Sequence, residues 1–273
     1  MAADAVARAL EGDEAVGRRI ARAGGRVILP FLAIALLVGL WWLATIAFGW
    51  KPFLVPSPKD VWNELVRQRH LLPGHVEATV VETLEGFGLA IVIAVPVAVA
   101  IAYSRVLEAS IYPALVALNA IPKIAIAPLL VIWMGFGAGP KIAMVVLICF
   151  FPIVISTATG LKATPAEFVE LSRSLASSPR QEFAKFRFPA SLPYVFVGLK
   201  VAITLAVIGA VVGEFVGATE GLGYVIVASG QNANTSLAFA AIALLSLLSI
   251  ALFYAVVLIE RLMIPWAADE QRP

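Results

Sequence analysis

The chain has 273 residues, of which 61% are hydrophobic and 14% charged, against roughly 45–50% and about 25% in an average soluble domain. One core cannot hide that excess, so the bilayer is the solvent this composition calls for, and a net charge of +2 argues against a nucleic-acid partner. The single cysteine, Cys149, lies in an apolar run and the two histidines, His70 and His75, share one loop, which excludes a disulfide framework and a cysteine–histidine metal site.

Residues 1–26 carry Arg8, Arg18, Arg19, Arg22 and Arg26 against Asp4, Glu11, Asp13 and Glu14. No short apolar core with a small-residue cleavage site adjoins them, so they read as a retained cytoplasmic tail. Val27 to Phe48 then gives 22 uncharged residues, a first span with Trp41, Trp42 and Trp50 as interfacial anchors. Prolines between Lys51 and Pro58 break the helix, and Val61, Trp62, Leu65 and Val66 recur at helical spacing, predicting a short helix on the outer surface.

In the second span only 16 residues, Phe87 to Ala102, are uncharged, too few for about 30 Å of hydrocarbon at 1.5 Å per residue. Extending it back to His75 brings in Glu77, Glu82 and Glu85. Glu82 and Glu85 share a face, either as interior structural groups or as the lining of a pathway. Ser110 to Met134 forms a third span, broken by Pro113, Pro122 and Pro128 and carrying Asn119 and Lys123. A mid-span lysine costs about 2.5–3.5 kcal/mol unless paired, so this helix is expected to face protein or a cavity. After the Gly135–Pro140 turn comes a fourth span, Ile142 to Leu161.

Thr164 to Pro189 is the longest polar stretch of the C-terminal two thirds. Thr164-Pro-Ala-Glu167 and Ser178-Pro-Arg-Gln181 both have the form of capping boxes, predicting two short helices around a break at Ala176–Ser178, with Pro189 ending the second. The fifth span, about Tyr194 to Phe215, carries Gly209, Gly213, Gly217 and Gly221 at four-residue intervals, which places them close to one face, with Glu214 beside them. A loop with a short apolar insert follows, then the sixth span, Leu237 to Ile259, and Glu260-Arg261. With both termini inside, 13 basic residues fall on the inner side and 5 on the outer, which places 164–189 in the cytoplasm.

There is no phosphate-binding G-x-x-x-x-G-K-[ST], no H-E-x-x-H and no G-x-S-x-G. A pathway without its own engine is the better expectation, and an enzyme the weaker one. A self-contained secondary transporter using Lys123, Glu82 and Glu214, or a receptor without transport, are the alternatives.

The 164–189 loop resembles the EAA loop of ABC-importer permeases, E-A-A-x3-G-x9-I-x-L-P. Glu170-Leu171-Ser172, Ala176 and Phe186-Arg187-Phe188-Pro189 keep its spacing, with Leu171 and Ser172 for the alanines and Ala176 for the glycine. Either the turn accepts alanine, or Ser177 and Ser178 take up the bend. VPSPKDVW, Asn119–Pro128, Trp133-Met-Gly-Phe-Gly and Glu220-Gly-Leu-Gly-Tyr224 are similar to the nitrate/sulfonate/taurine branch of this family, across roughly residues 30–265.

The resemblance implies an all-α polytopic membrane protein with six transmembrane helices, both termini cytoplasmic, and a two-helix coupling loop. Residues 1–26 would be a tail, 27–265 the permease domain and 266–273 a second tail. It implies the bacterial inner membrane, a second permease protomer in a homodimer, ABC ATPase subunits that bind the ATP, and an extracytoplasmic substrate-binding protein. No cofactor of the chain's own is implied. Glu167, Phe168, Glu170, Leu171, Arg173, Ala176, Ser177, Ser178 and Pro189 would couple to the ATPase. Arg180, Lys185 and Arg187 would pair with its acidic groups, and Phe183, Phe186 and Phe188 would pack the loop. Glu82, Asn119, Lys123, Gly209, Gly213 and Glu214 are the candidate pathway, and Gly217, Gly221, Leu222 and Gly223 the outer gate. Substrates of the branch are nitrate, alkanesulfonates and taurine, or vitamin precursors such as pyrimidines and riboflavin. The Leu147–Ile153 run is more similar to the vitamin-precursor group.

Overall fold

A computed structural model describes Leu29 and residues 31–266, apart from the side chain of Arg173. The expectations for 1–26, and for the second tail beyond Trp266, lie outside the described residues. Among those described every regular element is helical. The chain divides into two units, Met1–Asn63 and Glu64–Pro273.

In the first unit, α1 (Phe31–Ala47) is apolar and 17 residues long. α2 (Pro58–Arg67), whose residues fall on both sides of the Asn63/Glu64 boundary, is the short helix expected around Val61–Val66; it starts at the last of the breaking prolines because Ser57-Pro-Lys-Asp60 is a reciprocal cap. The Ser57 amide donates to Asp60 Oδ2 (3.0 Å) and the Asp60 amide to Ser57 Oγ (3.3 Å), with Pro58 in the first turn, where its missing N–H costs nothing.

The second unit is built on α3 (Leu72–Tyr103), α6 (Ala138–Lys162) and α9 (Phe188–Glu214). Small residues let their backbones approach. Ala90, Ala94 and Ala98 on α3, and Ala202, Ala206 and Ala210 on α9, are completely buried at four-residue spacing around Val145, Cys149 and Ile153 of α6. α11 (Thr235–Met263) packs beside α9, where Lys200 Nζ donates to both Glu260 oxygens at 3.0 and 2.9 Å, neutralising the lysine in the fifth span.

Among the described residues, four helices are long and apolar enough to cross a membrane: Leu72–Tyr103, Ala138–Lys162, Pro179–Glu214 and Thr235–Met263. The third span is a broken one. α4 (Arg105–Ala120) starts five residues earlier than predicted, capped by Ser104 Oγ, and Lys123–Met134, which ends in α5 (Ala127–Met134), lies at 79° to it. Pro122 has no N–H and pushes Ile121 to an extended ψ of 130°, whereas Pro113 is carried inside α4 without a break. The expected first span rests on 27–48, part of which is not described.

Two predicted helix ends are corrected. Pro189 does not stop a helix. α8 (Pro179–Glu182) passes through a π-helical turn, Phe183–Arg187, into α9, and the Phe188 amide reaches back to Phe183 O. Pro189 then sits in the first turn of α9, and the wider i→i+5 register accommodates its missing donor. At the other end α9 stops at Glu214, so Gly217 and Gly221 are not on the helix that carries Gly209 and Gly213. Both are loop residues with φ of 77° and 108°.

Candidate functional site

α7 (Ala166–Ser174) begins one residue later than a Thr164 cap predicts, and the Thr164 hydroxyl donates back to Leu161 O at 3.2 Å. The bend after it is at Ala176 itself, with φ of 48°. The Ser177 amide donates to Ser172 O at 3.0 Å, the six-to-one bond of a Schellman turn in which Ala176 holds the left-handed position. Ser178 and Gln181 then form the second predicted capping box in full.

With its C-terminal end fixed by these two successive locks, α7 turns an apolar ridge outward. Phe168, Leu171 and Leu175 are 45%, 48% and 63% exposed, while Ser172 behind them is buried. Glu167 and Glu170 are exposed, and Ser177 is half-buried. Phe168 also edges a cleft of about 410 Å³ with Pro165, Lys185, Phe186, Pro189 and Trp266. Arg187 is not free to meet a partner's acid: its Nε donates to Glu182 Oε1 at 2.6 Å and its guanidinium lies 5.6 Å from the Tyr103 ring centroid. Phe183 packs against Tyr103 and Phe188 at 5.9 and 5.7 Å, as packing residues of the loop.

The opposite ends of α3, α6 and α9 hold a buried polar cluster. Lys141, which the sequence places in a loop, is buried in the first turn of α6 and paired with Glu82 of α3. Glu85, three residues on, is exposed, so the two acids do not share an environment. Glu214 is 1% exposed. Its Oε1 accepts from the Thr79 hydroxyl at 2.6 Å and its Oε2 from the Gly223 amide.

Those contacts cap α10 (Leu222–Gln231), the apolar insert of the loop. The Leu222 amide donates to Thr79 Oγ1 at 2.9 Å and the Gly221 amide to His75 Nδ1 at 3.2 Å. Three successive N–H groups of one helix start are thus satisfied by side chains of α3 and α9. The carboxylate also lies at the positive end of the helix dipole. Gly223 and Gly221 leave room for it, since a Cβ on Gly223 would come within 2.7 Å of Glu214 Oε2. Neither Lys141 nor Thr79 was legible as part of this cluster. The only signal was that Glu82 and Glu214 needed partners.

Of the other candidates, Gly213 and Leu222 border this cluster and the rest lie apart from it. Lys123 Nζ hydrogen-bonds to Asn119 across the break that follows α4. Gly209 and Gly213 face α6, where a Cβ would meet Val145 Cα at 2.9 Å and Lys141 Cα at 2.7 Å. Gly217 lies against the Phe136 ring, and Leu222 is completely buried.

Residues 86–265 match the family model described as binding-protein-dependent transport system inner membrane component. The chain is 37% identical over 238 residues to the formylaminopyrimidine transport permease protein ThiX of Halalkalibacterium halodurans, covering 87% of this chain and 95% of the relative. It is 36% identical over 245 residues to the riboflavin transport system permease protein RibX of Chloroflexus aurantiacus, covering 88% and 90%. Its fold is similar to that of a chain from the MetNI methionine ABC transporter, solved in inward-facing conformations, with a TM-score of 0.64 at 22% identity over 71% of this chain and 97% of that one.

Proposed function

The chain belongs to the family of binding-protein-dependent transport system inner membrane components, and from that premise we propose that it is the permease subunit of an ATP-driven importer for a heterocyclic vitamin precursor. The 164–189 loop couples it to an ATPase. The observation that carries the coupling role is the outward apolar ridge Phe168–Leu171–Leu175, on a helix whose C-terminal end is closed by a Schellman turn that leads straight into a capping box. A short, preorganised helix with an exposed apolar anchor suits insertion into a partner's groove, because little ordering entropy is left to lose.

Two permease chains, two ATPase subunits and an external binding protein make up the assembly, with six spans per permease and both termini cytoplasmic. ATP-driven closure of the ATPases draws the two loops together and switches the pathway by rigid-body rotation of the spans. The 217–223 segment is the outer gate. Identity to the formylaminopyrimidine and riboflavin permeases supports the vitamin-precursor class over nitrate or sulfonates. Family membership also weighs against a self-contained secondary transporter, and Lys123 is engaged with Asn119 and not with Glu82 or Glu214.

Phe168→Asp places a charge on the ridge and Glu170→Lys reverses one beside it. Each is expected to leave membrane insertion intact and to abolish co-purification with the ATPase. Undiminished ATPase capture by both variants would refute the coupling role. Retention of a pyrimidine or flavin by the co-purifying binding protein tests the substrate class.

A further inference from the structure

We propose that Glu214 is the positioning residue of the outer gate: with Thr79 it latches the start of α10 to α3, and the gate opens only when this latch breaks. The inference rests on the reading of residues 217–223 as that gate. Besides the apolar seat of Leu222 and the contact of Gly217 with the Phe136 ring, the segment is tied to the helices around it by a few polar contacts. It leaves α9 directly after Glu214 and returns to the same carboxylate nine residues later, through the Gly223 amide. Thr79 bridges the two sides, donating to Glu214 Oε1 and accepting from the Leu222 amide. His75 takes the Gly221 amide. Between these points the chain turns on Gly217 and Gly221, both at positive φ, where the backbone swings at low cost.

The cluster is closed from behind by Lys141, whose amine pairs with Glu82, while α6 backbone at Lys141 abuts Gly213, one residue before Glu214. A movement of α6 against α9 therefore bears on the latch directly. Charge-assisted hydrogen bonds in a buried site are strong when made, and expensive to leave half-made, which gives two discrete arrangements and no continuum.

Ser229 reports the state, because it is 3% exposed on α10 and emerges only if α10 leaves its seat. Ser229→Cys is introduced into a Cys149→Ala chain, co-reconstituted with its ATPase, and the rate of reaction with a membrane-impermeant maleimide is measured from the gate side. In the nucleotide-free state Glu214→Gln and Thr79→Val are expected to raise that rate about tenfold or more, as loss of one charge-assisted bond implies, whereas Thr79→Ser keeps the hydroxyl and stays slow. A purely structural role would not separate Thr79→Ser from Thr79→Val in this way. Unchanged labelling in Glu214→Gln and Thr79→Val, with each still extracted as a monodisperse complex, overturns the proposal; if Glu214→Gln does not fold, the Thr79 pair decides alone. ATP with vanadate should speed labelling of the chain with Glu214 and Thr79 intact. If it does not, the gate reading fails, while the nucleotide-free comparison still decides the latch.

Discussion

At Ala176 an L-residue with a side chain occupies the left-handed position that closes α7, with φ of 48°. That conformation costs a non-glycine residue about 1–2 kcal/mol through the contact of Cβ with the backbone. Ala176→Gly is therefore expected to stabilise the 164–189 loop by about 1 kcal/mol, seen as slower amide exchange of the Leu175 and Ser177 N–H groups. Lys141 makes the opposite point, since here a side chain cannot be spared. Its removal leaves the buried Glu82 carboxyl without its partner, where one oxygen, Oε2, already has no hydrogen bond. Lys141→Met should cost about 3–5 kcal/mol, read as a lower Tm in detergent, and adding Glu82→Gln should recover much of the loss.

Among the elements, α9 shows how one helix serves three tasks. Its first turn absorbs Pro189 through the π-helical turn, its middle presents Gly198, Ala202, Ala206 and Ala210, and its last residue caps α10. The small-residue face is where α6 comes closest. Gly213→Val would drive a branched side chain into the Lys141 backbone, which no rotamer avoids. It is expected to lower Tm more than Gly88→Val on α3, where a Cβ would meet nothing within 4 Å. The glycine spacing was readable in the sequence, but not that Gly209 and Gly213 would meet a neighbour within the chain while Gly217 and Gly221 bend a loop. Spacing repeats every four residues whether or not the helix continues.

At the largest scale, a contact within the second unit, between Glu64 and the turn before α11, sets a pH dependence. Burial pushes the Glu64 carboxyl up, but hydrogen bonds from Asn234, Gln68 and Arg67, with the Arg67 charge, outweigh it and hold Glu64 below its usual value. A carboxylate lowered in the folded state adds stability above its unfolded value, about 4.3, and loses it as pH falls through the folded one. Glu64→Gln should then reduce Tm at pH 7 and flatten its decline in the acid range, checked by thermal unfolding across pH.

Local chemistry and the solvent are legible along the chain: they specify an all-helical membrane protein, the positions of the long spans and the Ser178 capping box. Pro122 and Pro189 were equally visible, yet one breaks a span and the other opens one. That was decided by the hydrogen-bond register of the turn before each. Only the tertiary structure decided that Lys141 is a buried partner and not a loop charge, and that Glu82 and Glu85 part company. It also decided that Glu214 turns back to hold α10 together with Thr79, 135 residues away in sequence. A buried charge must find its complement in space, and no periodicity along the chain records which helix will bring it.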